Sequence, residues 1–297
     1  MSSEISATAA GTITIGGDLT VNRLGFGAMR LTGKGIWGEP PDREVAKQVL
    51  RRALELDINI IDTADSYGPE VSERLIAEAL RPYPEGLVIA TKGGQLRDGP
   101  DQWRPDGRPE HLREALEGSL RRLGLERIDL YQLHRPDPKV PFGESVGALI
   151  RFRDEGKVRH IGLSNVSEAQ LEEARTMTEI VSVQNRYNLS DRRSEGVLER
   201  CEALGIAFLP WAPLAVDELA GPGSALAEIA ARHGATPGQV ALAWLLARSP
   251  EMLPIPGTGS VAHLEENVRA AEIKLGPDEV ERLGGRLTGG RGRQQPV

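Results

Sequence analysis

Four polar residues stand at or just after the ends of short apolar runs: Asp62, Tyr67, Lys92 and His134. Asp62 follows Asn-Ile-Ile, Lys92 ends Leu-Val-Ile-Ala-Thr-Lys, and His134 ends Ile-Asp-Leu-Tyr-Gln-Leu-His. Tyr67 comes a short stretch after Asp62, which is enough chain to fold back over a strand end. If the runs are neighbouring strands about 4.8 Å apart, the four side chains can meet at one rim.

These residue types suit proton donation to a carbonyl oxygen. A free tyrosine has a pKa of about 10, and an adjacent ammonium such as Lys92 favours the phenolate and lowers that pKa. A buried ammonium tends to lose its own proton unless it is paired, and Asp62 can pair with it. His134 can donate a hydrogen bond where negative charge develops on the substrate oxygen. We therefore predict a site with Tyr67 as the acid.

Predicted strands and helices alternate along the chain, and they must position these residues. The predicted strands are mostly continuous apolar runs, as expected for parallel strands covered by helices. They are Asn22–Gly27, Ile58–Asp62, Leu87–Lys92, Ile128–His134, Val158–Leu163, Ile180–Gln184, Ile206–Trp211 and Met252–Ile255. Amphipathic helices lie between them, such as the one that Pro109 opens and Gly124 caps. Eight such units predict an α/β fold, a closed (β/α)8 TIM barrel.

The segments outside these units carry further expectations. Thr-Ile-Thr-Ile, Gly-Gly and Leu-Thr-Val over residues 12–21 predict an N-terminal β-hairpin that closes the bottom of the barrel. Residues 1–297 are expected to form a single domain, with residues 1–11 as a loose tail. The stretch Gly93–Arg108 is expected to be an irregular loop over the active rim. The alternative fold, an open doubly wound sheet, needs a third glycine after Gly25 and Gly27 that the chain lacks.

The composition narrows the classes of partner. Hydrophobic residues are 39% and charged residues 27%, which is typical of a soluble globular protein. A formal net charge of −7, without basic residues interleaved with aromatics, argues against nucleic acid and anionic membranes. The one cysteine, Cys201, cannot form an intramolecular disulfide, and no Cys/His cluster suggests a metal. With no secretory signal and no apolar run of about 20 residues, cytoplasm is the expected location.

At this point the chain resembles the aldo-keto reductase family. The resemblance lies in motifs that follow one another in the family's order, almost from Leu24 to the final helix. They are Asp62-Thr-Ala-Asp-Ser-Tyr67, Ala90-Thr-Lys92, Leu133-His134, Ile161-Gly-Leu-Ser-Asn165, Gln184-Asn-Arg-Tyr-Asn188 and Pro254-Ile-Pro-Gly-Thr258 with Glu265-Glu-Asn267. The resemblance implies NAD(P)H-dependent reduction of an aldehyde or ketone, with hydride passing to the carbonyl carbon. It makes Tyr67 the general acid, Lys92 and Asp62 its tuning pair, and His134 the residue that orients the substrate.

The resemblance also implies a set of cofactor-binding residues. Ser164, Asn165 and Gln184 match the polar residues that hydrogen-bond the nicotinamide carboxamide, and Trp211 matches the aromatic residue that stacks on the nicotinamide ring. Ala28, Met29 and Arg30 match the loop after the first strand, and Ala212, Pro213 and Leu214 follow Trp211; Asp62 is also expected to contact the cofactor. The residues that match the adenosine end are Ile255, Pro256, Gly257, Thr258, Gly259, His263, Glu266 and Asn267.

Two positions depart from many NADPH-using members of the family. Gly257 stands where those members have lysine, and His263 where they have arginine, the cations that hold the 2′-phosphate. Thr258, Ser260 and a protonated His263 are the substitutes available in this sequence. The expected cofactor is NADPH, with NADH as the alternative, and the expected partner is a small carbonyl substrate bound by a monomer.

Two further readings stay open at this stage. The scaffold also suits a cofactor-binding regulatory or partner subunit with little turnover, because fold alone does not fix activity. A barrel lyase or aldolase that uses Lys92 as a Schiff base is the third reading, and the neighbouring Asp62 and Tyr67 argue against it.

Overall fold

A curled parallel sheet surrounded by helices forms the centre of the computed structural model, which describes residues 5–214, 219–221 and 223–285. Seven parallel strands pair in chain order, each with its neighbour. They are β3 (Phe26–Gly27), β4 (Ile60–Asp62), β5 (Val88–Gly93), β8 (Ile128–Leu133), β9 (Val158–Ser164), β10 (Ser182–Gln184) and β11 (Ala207–Phe208). The other four strands form two antiparallel hairpins outside this sheet, β1 (Thr12–Ile15) with β2 (Leu19–Asn22) and β6 (Gln95–Gly99) with β7 (Gln102–Pro105).

The extended segment 252–256 closes the barrel between its first and last strands. The Leu253 amide donates to Phe208 O at 2.9 Å on one side, and the Gly25 amide donates to Pro254 O at 2.9 Å on the other. Pro254 itself has no N–H to donate, which keeps the hydrogen-bond ladder here short. The predicted strand over Met252–Ile255 therefore occupies the eighth position, and the predicted (β/α)8 barrel is confirmed.

The helices lie outside the strands and bury their apolar faces against them. They are α1 (Arg43–Glu55), α2 (Val71–Leu80), α3 (Pro109–Leu123), α4 (Phe142–Asp154), α5 (Glu168–Met177), α6 (Glu195–Leu204), α7 (Ala225–His233), α8 (Pro237–Arg248), α9 (Val261–Arg269) and α10 (Pro277–Gly284). Local signals fix several ends: Ser167 and Gln170 form a capping box at α5, and Gly124 ends α3 in the left-handed conformation. No helix in the described ranges is long and apolar enough to cross a membrane.

The hairpin β1–β2 closes one end of the barrel, as predicted. Its strands pair in antiparallel register from Thr12–Asn22 to Ile15–Leu19. Alternation sends Ile13, Ile15, Leu19 and Val21 to the buried face. These side chains join one apolar cluster with residues that point into the barrel, which are Ile60, Val88, Ala90, Leu130, Val181, Ala207, Leu209, Leu253 and Ile255.

Two sequence-based expectations about irregular segments were wrong. Residues 7–10 of the expected loose tail form a 3₁₀ turn, because Ala7 is buried and its amide donates to Leu56 O at 2.8 Å. The expected irregular loop over 93–108 contains the hairpin β6–β7, whose largely polar strands lack the apolar alternation that marks β1–β2. Residues 1–4 and 286–297 of the expected domain lie outside the described part of the chain.

Candidate active site

The four polar residues do lie together at the end of the barrel opposite the first hairpin. Asp62 is the last residue of β4, Lys92 lies near the end of β5, and His134 directly follows β8. Tyr67 comes from the turn after β4. All four side chains are largely buried, and Lys92 is fully so. Parallel strands end at the same edge, so one rim receives all of them.

The Lys92 ammonium is the centre of this group. Its Nζ donates to Asp62 Oδ2 at 2.6 Å, to Thr63 O at 2.9 Å and to the Tyr67 hydroxyl at 3.4 Å. Burial acts to lower the pKa of Lys92, but the charge and hydrogen bonds of Asp62 and Tyr67 outweigh it and leave the pKa raised. Lys92 is therefore a protonated, fully engaged cation.

Two glutamines hold the Asp62 carboxylate from the other side. Gln184 Nε2 donates to Asp62 Oδ1 at 2.8 Å, and Gln132 Nε2 donates to the same oxygen at 3.2 Å. Sequence reasoning did not single out Gln132, although a lone amide inside the apolar run of β8 was a signal for it. The buried ion pair thus has hydrogen bonds on both of its carboxylate oxygens, which is the condition under which such a pair is tolerated in a core.

The shift of the Tyr67 pKa has the opposite direction to the one expected from the sequence. Burial raises the pKa of the phenol, the Lys92 charge lowers it, and the negative charge of Asp62 adds to the rise. The net shift is upward, so the expectation of a pKa below the ordinary value is wrong in this structure. Lys92 limits the rise without reversing it, and Tyr67 stays protonated at neutral pH.

His134 is held as a neutral ring beside Tyr67. Burial, with the nearby charges of Lys92, Arg135 and Arg97, brings the pKa of His134 well below 6.5. Its Nδ1 lies 3.3 Å from the Ser66 hydroxyl, and its ring centroid lies 5.8 Å from that of Tyr67. A hydroxyl that donates to Nδ1 leaves the hydrogen on Nε2, the other ring nitrogen.

The hairpin β6–β7 forms a wall over this group. Trp103 meets the rings of Tyr67 and His134 edge-on, with centroids 6.4 Å and 6.3 Å away. Arg97 lies 3.6 Å from the Trp103 ring centroid and donates to Ile36 O at 2.6 Å. Thus Arg97 fixes the hairpin to the loop that precedes α1 and places an aromatic side wall beside the reactive rim.

A cleft of about 1300 Å³ opens above these residues. It is lined by most of the residues predicted from the sequence, namely Met29, Arg30, Asp62, Tyr67, His134, Ser164, Asn165, Gln184, Trp211, Ala212, Pro213, Leu214, Ile255 and Gly257. The cleft lining does not include the remaining ones, namely Ala28, Lys92, Pro256, Thr258, Gly259, His263, Glu266 and Asn267. Of these, Lys92 contacts Asp62 and Tyr67, which do line the cleft. A second cavity of about 330 Å³ lies beside Gly16 and Gly17 at the hairpin end, remote from this chemistry.

The residues predicted to bind the nicotinamide form one connected group at this cleft. Asn165 Nδ2 donates to His134 O and to Ser164 Oγ, each at 3.0 Å. Trp211 Nε1 donates to Asn165 Oδ1 at 3.1 Å, which fixes the indole plane. Asn165 and Ala212 have φ values of 59° and 51°, and such strained residues cluster at functional sites.

The predicted adenosine end has a different character. Glu266 accepts a hydrogen bond from Thr236 at 2.7 Å, and Thr258 Oγ1 accepts from the Ser260 amide at 3.1 Å, so both are partly engaged within the protein. His263 is exposed on the first turn of α9. Thr258 and Asn267 are buried, so the most open polar side chain among these residues is that of His263.

Gly257 sits where strand closure leaves no room for a side chain. A Cβ at Gly257 would lie 2.4 Å from Gly27 O, so a lysine here does not fit this backbone. The same Cβ position lies 3.7 Å from Arg30 Cγ, so a cation of the neighbouring turn lies beside it. Arg30 is exposed and makes no ion pair with any residue in the described ranges.

Comparison with known proteins gives a consistent result along nearly the whole chain. A family model described as Aldo/keto reductase family matches residues 23–285. An uncharacterized oxidoreductase of Schizosaccharomyces pombe is 53% identical over 282 residues, which are 95% of this chain and 92% of the relative. Pyridoxine 4-dehydrogenase of Escherichia coli is 46% identical over 275 residues, 91% of this chain and 96% of the relative.

Solved structures share the fold. A glycerol dehydrogenase from Gluconobacter oxydans matches with a TM-score of 0.82 at 27% identity, over 97% of this chain and 99% of that one. An aldo/keto reductase from Klebsiella pneumoniae, solved with NADP and acetate, matches with a TM-score of 0.77 at 26% identity, over 92% and 93%. A thermostable aldo-keto reductase solved with an inhibitor matches with a TM-score of 0.78 at 34% identity, over 92% and 98%.

Proposed function

The chain belongs to the aldo/keto reductase family of oxidoreductases, and we propose that it reduces an aldehyde or ketone to an alcohol with hydride from NADPH. The observation that carries the proposal is the geometry at the cleft floor. One buried ammonium, Lys92, lies 2.6 Å from the carboxylate of Asp62 and 3.4 Å from the hydroxyl of Tyr67. A phenol with a charge-assisted partner beneath it and an open cleft above it is equipped to protonate a bound oxygen.

The residues present fit a nicotinamide dinucleotide. The Trp211 indole, held by Asn165, offers a flat surface, and the Gln184 amide and the Ser164 hydroxyl lie at the same cleft wall. When bound there, the dinucleotide supplies the hydride. The side chains proposed to hold it are those of Ser164, Asn165, Gln184 and Trp211 at the nicotinamide, with the segment 255–259, His263, Glu266 and Asn267 at the adenosine.

Tyr67 is the proposed general acid. It delivers its proton to the carbonyl oxygen as hydride reaches the carbonyl carbon, and a phenolate remains. The Lys92 ammonium stabilises that phenolate, and Asp62 keeps Lys92 charged in a buried position. The raised pKa of Tyr67 favours the protonated acid before each turnover. The reverse reaction, alcohol oxidation, needs the phenolate and is therefore favoured by high pH.

His134 is the proposed orienting residue. Because its pKa is held well below 6.5, the ring is neutral at physiological pH and does not compete with Tyr67 as an acid. With Ser66 donating to Nδ1, the Nε2–H is left to hydrogen-bond the substrate oxygen. Two donors, the phenol and the imidazole, then converge on the position where negative charge develops.

We propose NADPH as the preferred cofactor. The lysine of many NADPH-using members has no room at Gly257, but Arg30 beside it, which makes no ion pair within the described ranges, offers a cation for a phosphate. Related structures from Klebsiella pneumoniae were solved with NADP and with NADPH. The relative named pyridoxine 4-dehydrogenase makes hydroxymethyl-pyridines and their aldehydes the first substrates to test.

The decisive experiment compares wild type with Tyr67→Phe. Loss of NADPH absorbance is followed with 4-nitrobenzaldehyde and with pyridoxal, and binding of NADPH is measured separately by protein fluorescence. We expect wild-type turnover, and a fall of about 100- to 10,000-fold in kcat for Tyr67→Phe with NADPH binding retained. Equal rates would exclude Tyr67 as the acid. Tight NADPH binding without turnover of any carbonyl would favour the regulatory subunit instead.

A further inference from the structure

Arg135 is a charged residue of the cleft for which the mechanism above has no use. It directly follows His134 and lines the cleft wall. Its Nε is fully enclosed, and none of the residues that the structure describes provides a hydrogen-bond acceptor for it. Burial lowers the pKa of Arg135, and no carboxylate among the residues described opposes that shift. A partly buried guanidinium without an anion is costly, so its position calls for a ligand.

Two other partly buried arginines are satisfied from within the protein. Arg122 donates from its Nε to Glu73 at 2.6 Å. Arg97 donates to Ile36 O at 2.6 Å and to further carbonyl oxygens around it. Arg135 differs from both, since it makes no ion pair or hydrogen bond through its side chain within the described ranges. Arg192 also has an enclosed Nε without a partner, but its other guanidinium nitrogens donate to Gly284 O and Leu283 O. Arg30 makes no ion pair in the described ranges either, but it is exposed, whereas Arg135 is partly buried beside His134.

The surroundings of Arg135 are positively charged. Lys92, Arg97 and Arg135 all act on His134 and, after burial, lower its pKa. The Asp62 carboxylate at this wall is already bound to Lys92 at 2.6 Å. The charge of Lys92 is thus balanced by Asp62, and an anion that enters the cleft beside His134 meets Arg135, a cation that has no carboxylate partner among the described residues.

The acidic residues of the hairpin β6–β7 are not paired with Arg135. Asp98 pairs with Arg104 at 3.2 Å. Burial lowers the pKa of Arg97 and Asp101 opposes the shift, so Asp101 acts on Arg97. Asp98 therefore has a cation of its own, and the charge of Asp101 acts on Arg97 rather than on Arg135.

We propose that Arg135 binds an anionic oxygen group of the substrate, so that the preferred substrates are small ring aldehydes with a second, negatively charged oxygen substituent. This inference rests on the proposed carbonyl reduction. Arg135 directly follows His134 in the chain and lines the same cleft as Tyr67 and His134, so a substrate whose carbonyl lies at these two residues can present a second substituent to Arg135. Trp103 supplies the aromatic wall along the ring of such a substrate.

The test uses pairs of aldehydes that differ in one charge. The substrates are 3- and 4-carboxybenzaldehyde and their methyl esters, with kcat and KM measured for wild type, Arg135→Gln and Arg135→Lys. Wild type is expected to prefer at least one acid to its ester. Arg135→Gln is expected to lower the acid-to-ester ratio of kcat/KM by about 10- to 100-fold, because a hydrogen bond between charged groups is lost. The change should lie mainly in KM, since the anion is bound equally in ground and transition states.

A second cleft arginine provides the matched control. Arg104 already has its partner in Asp98, so Arg104→Gln should change the acid-to-ester ratio by less than about threefold. Arg135→Lys keeps the charge and should retain part of the preference. Wild type that prefers both esters, or Arg135→Gln that slows acid and ester equally, would overturn the proposal. Failure of the proposed function is distinct, because wild type would then reduce neither member of any pair.

Discussion

The two ends of the barrel lumen are built from the same strands but from opposite kinds of residue. In β4 the inward side chains are Ile60 and, two residues later, Asp62; in β5 the step runs from Val88 through Ala90 to Lys92. Inward-facing positions recur every second residue, so each step along a strand adds one layer to the lumen. The lower layers are apolar and meet the hairpin β1–β2, whereas the upper layer is a network of charges and amides.

The difference shows how one scaffold combines stability with reactivity. The lower layers gain free energy from apolar burial and need no specific partner. The upper layer gains nothing from burial, and it is tolerated because the buried charges of Lys92 and Asp62 find partners within 3.4 Å. Mutations at the two ends should therefore have separable effects on activity and on unfolding.

The largest effect should come from Lys92→Met. This change leaves the Asp62 carboxylate buried with only the amides of Gln132 and Gln184, so the free energy of unfolding should fall by about 3–5 kcal/mol. Carbonyl reduction should fall at least about 100-fold, because the phenolate left on Tyr67 loses its cation. Urea unfolding and NADPH-coupled kinetics measure the two effects.

The double variant Lys92→Met with Asp62→Leu separates the two roles of this pair. Replacing both charges with apolar side chains removes the unpaired carboxylate, so much of the lost stability should return. Activity should not return. Recovery of both properties together would mean that Lys92 acts on turnover only by holding the fold.

The next effect belongs to the opposite end of the lumen. The side chain of Ile15 is almost fully buried, with 1% of its surface exposed. Ile15→Ala leaves a cavity there, so the free energy of unfolding should fall by about 2–5 kcal/mol. Reduction kinetics of the folded variant should stay within about twofold of wild type, because no residue of the rim is touched. Thr12, on the exposed face of the same strand, supplies the control: Thr12→Ala should change stability by less than about 0.5 kcal/mol. A large loss of kcat in Ile15→Ala would show that the two ends are coupled.

Most of the barrel and much of the geometry of the site could be predicted from the sequence. The apolar runs marked the strands, and the polar residues that end them marked a common rim, because parallel strands place their ends together. Even the segment 252–256, interrupted by prolines, was recognisable by its length and position. The roles of Tyr67, Lys92, Asp62 and His134 remain predictions, although their proximity follows from the fold.

The features that the sequence did not predict are set by several neighbouring residues acting together in space. The sign of the Tyr67 shift is set by burial against two opposing charges, and no local pattern contains that balance. The partner of Asp62 on β8, Gln132, and the unpaired state of Arg135 emerge only when strands and loops are placed in space. The hairpin β6–β7 was missed because Arg97 and its carbonyl partners, rather than apolar alternation, anchor it to neighbouring loops.

The smallest expected effect is a dependence of stability on pH at the polar end of the lumen, which the apolar end should lack. Burial raises the pKa of Asp65, next to the rim, to about 8, with Glu73 adding to the shift and Arg122 opposing it. Asp65 Oδ1 is enclosed and has no partner among the described residues, even though the residue as a whole is only partly buried. In an unfolded chain the pKa of aspartate is about 3.9. Between about pH 4 and pH 8 the folded protein therefore binds more protons, and its stability falls as pH rises through this window.

Asp65→Asn removes that titration. Relative to wild type, the variant should gain roughly 2 kcal/mol or more in free energy of unfolding between pH 5 and pH 9, because each unit of pKa shift corresponds to about 1.4 kcal/mol. Urea unfolding at several pH values measures the gain. The apolar end contains no titratable side chain in its cluster, so the penalty of Ile15→Ala should be the same at both pH values. A constant difference between Asp65→Asn and wild type would show that Asp65 is already ionised in the folded protein, and the polar end would then be no more pH-sensitive than the apolar one.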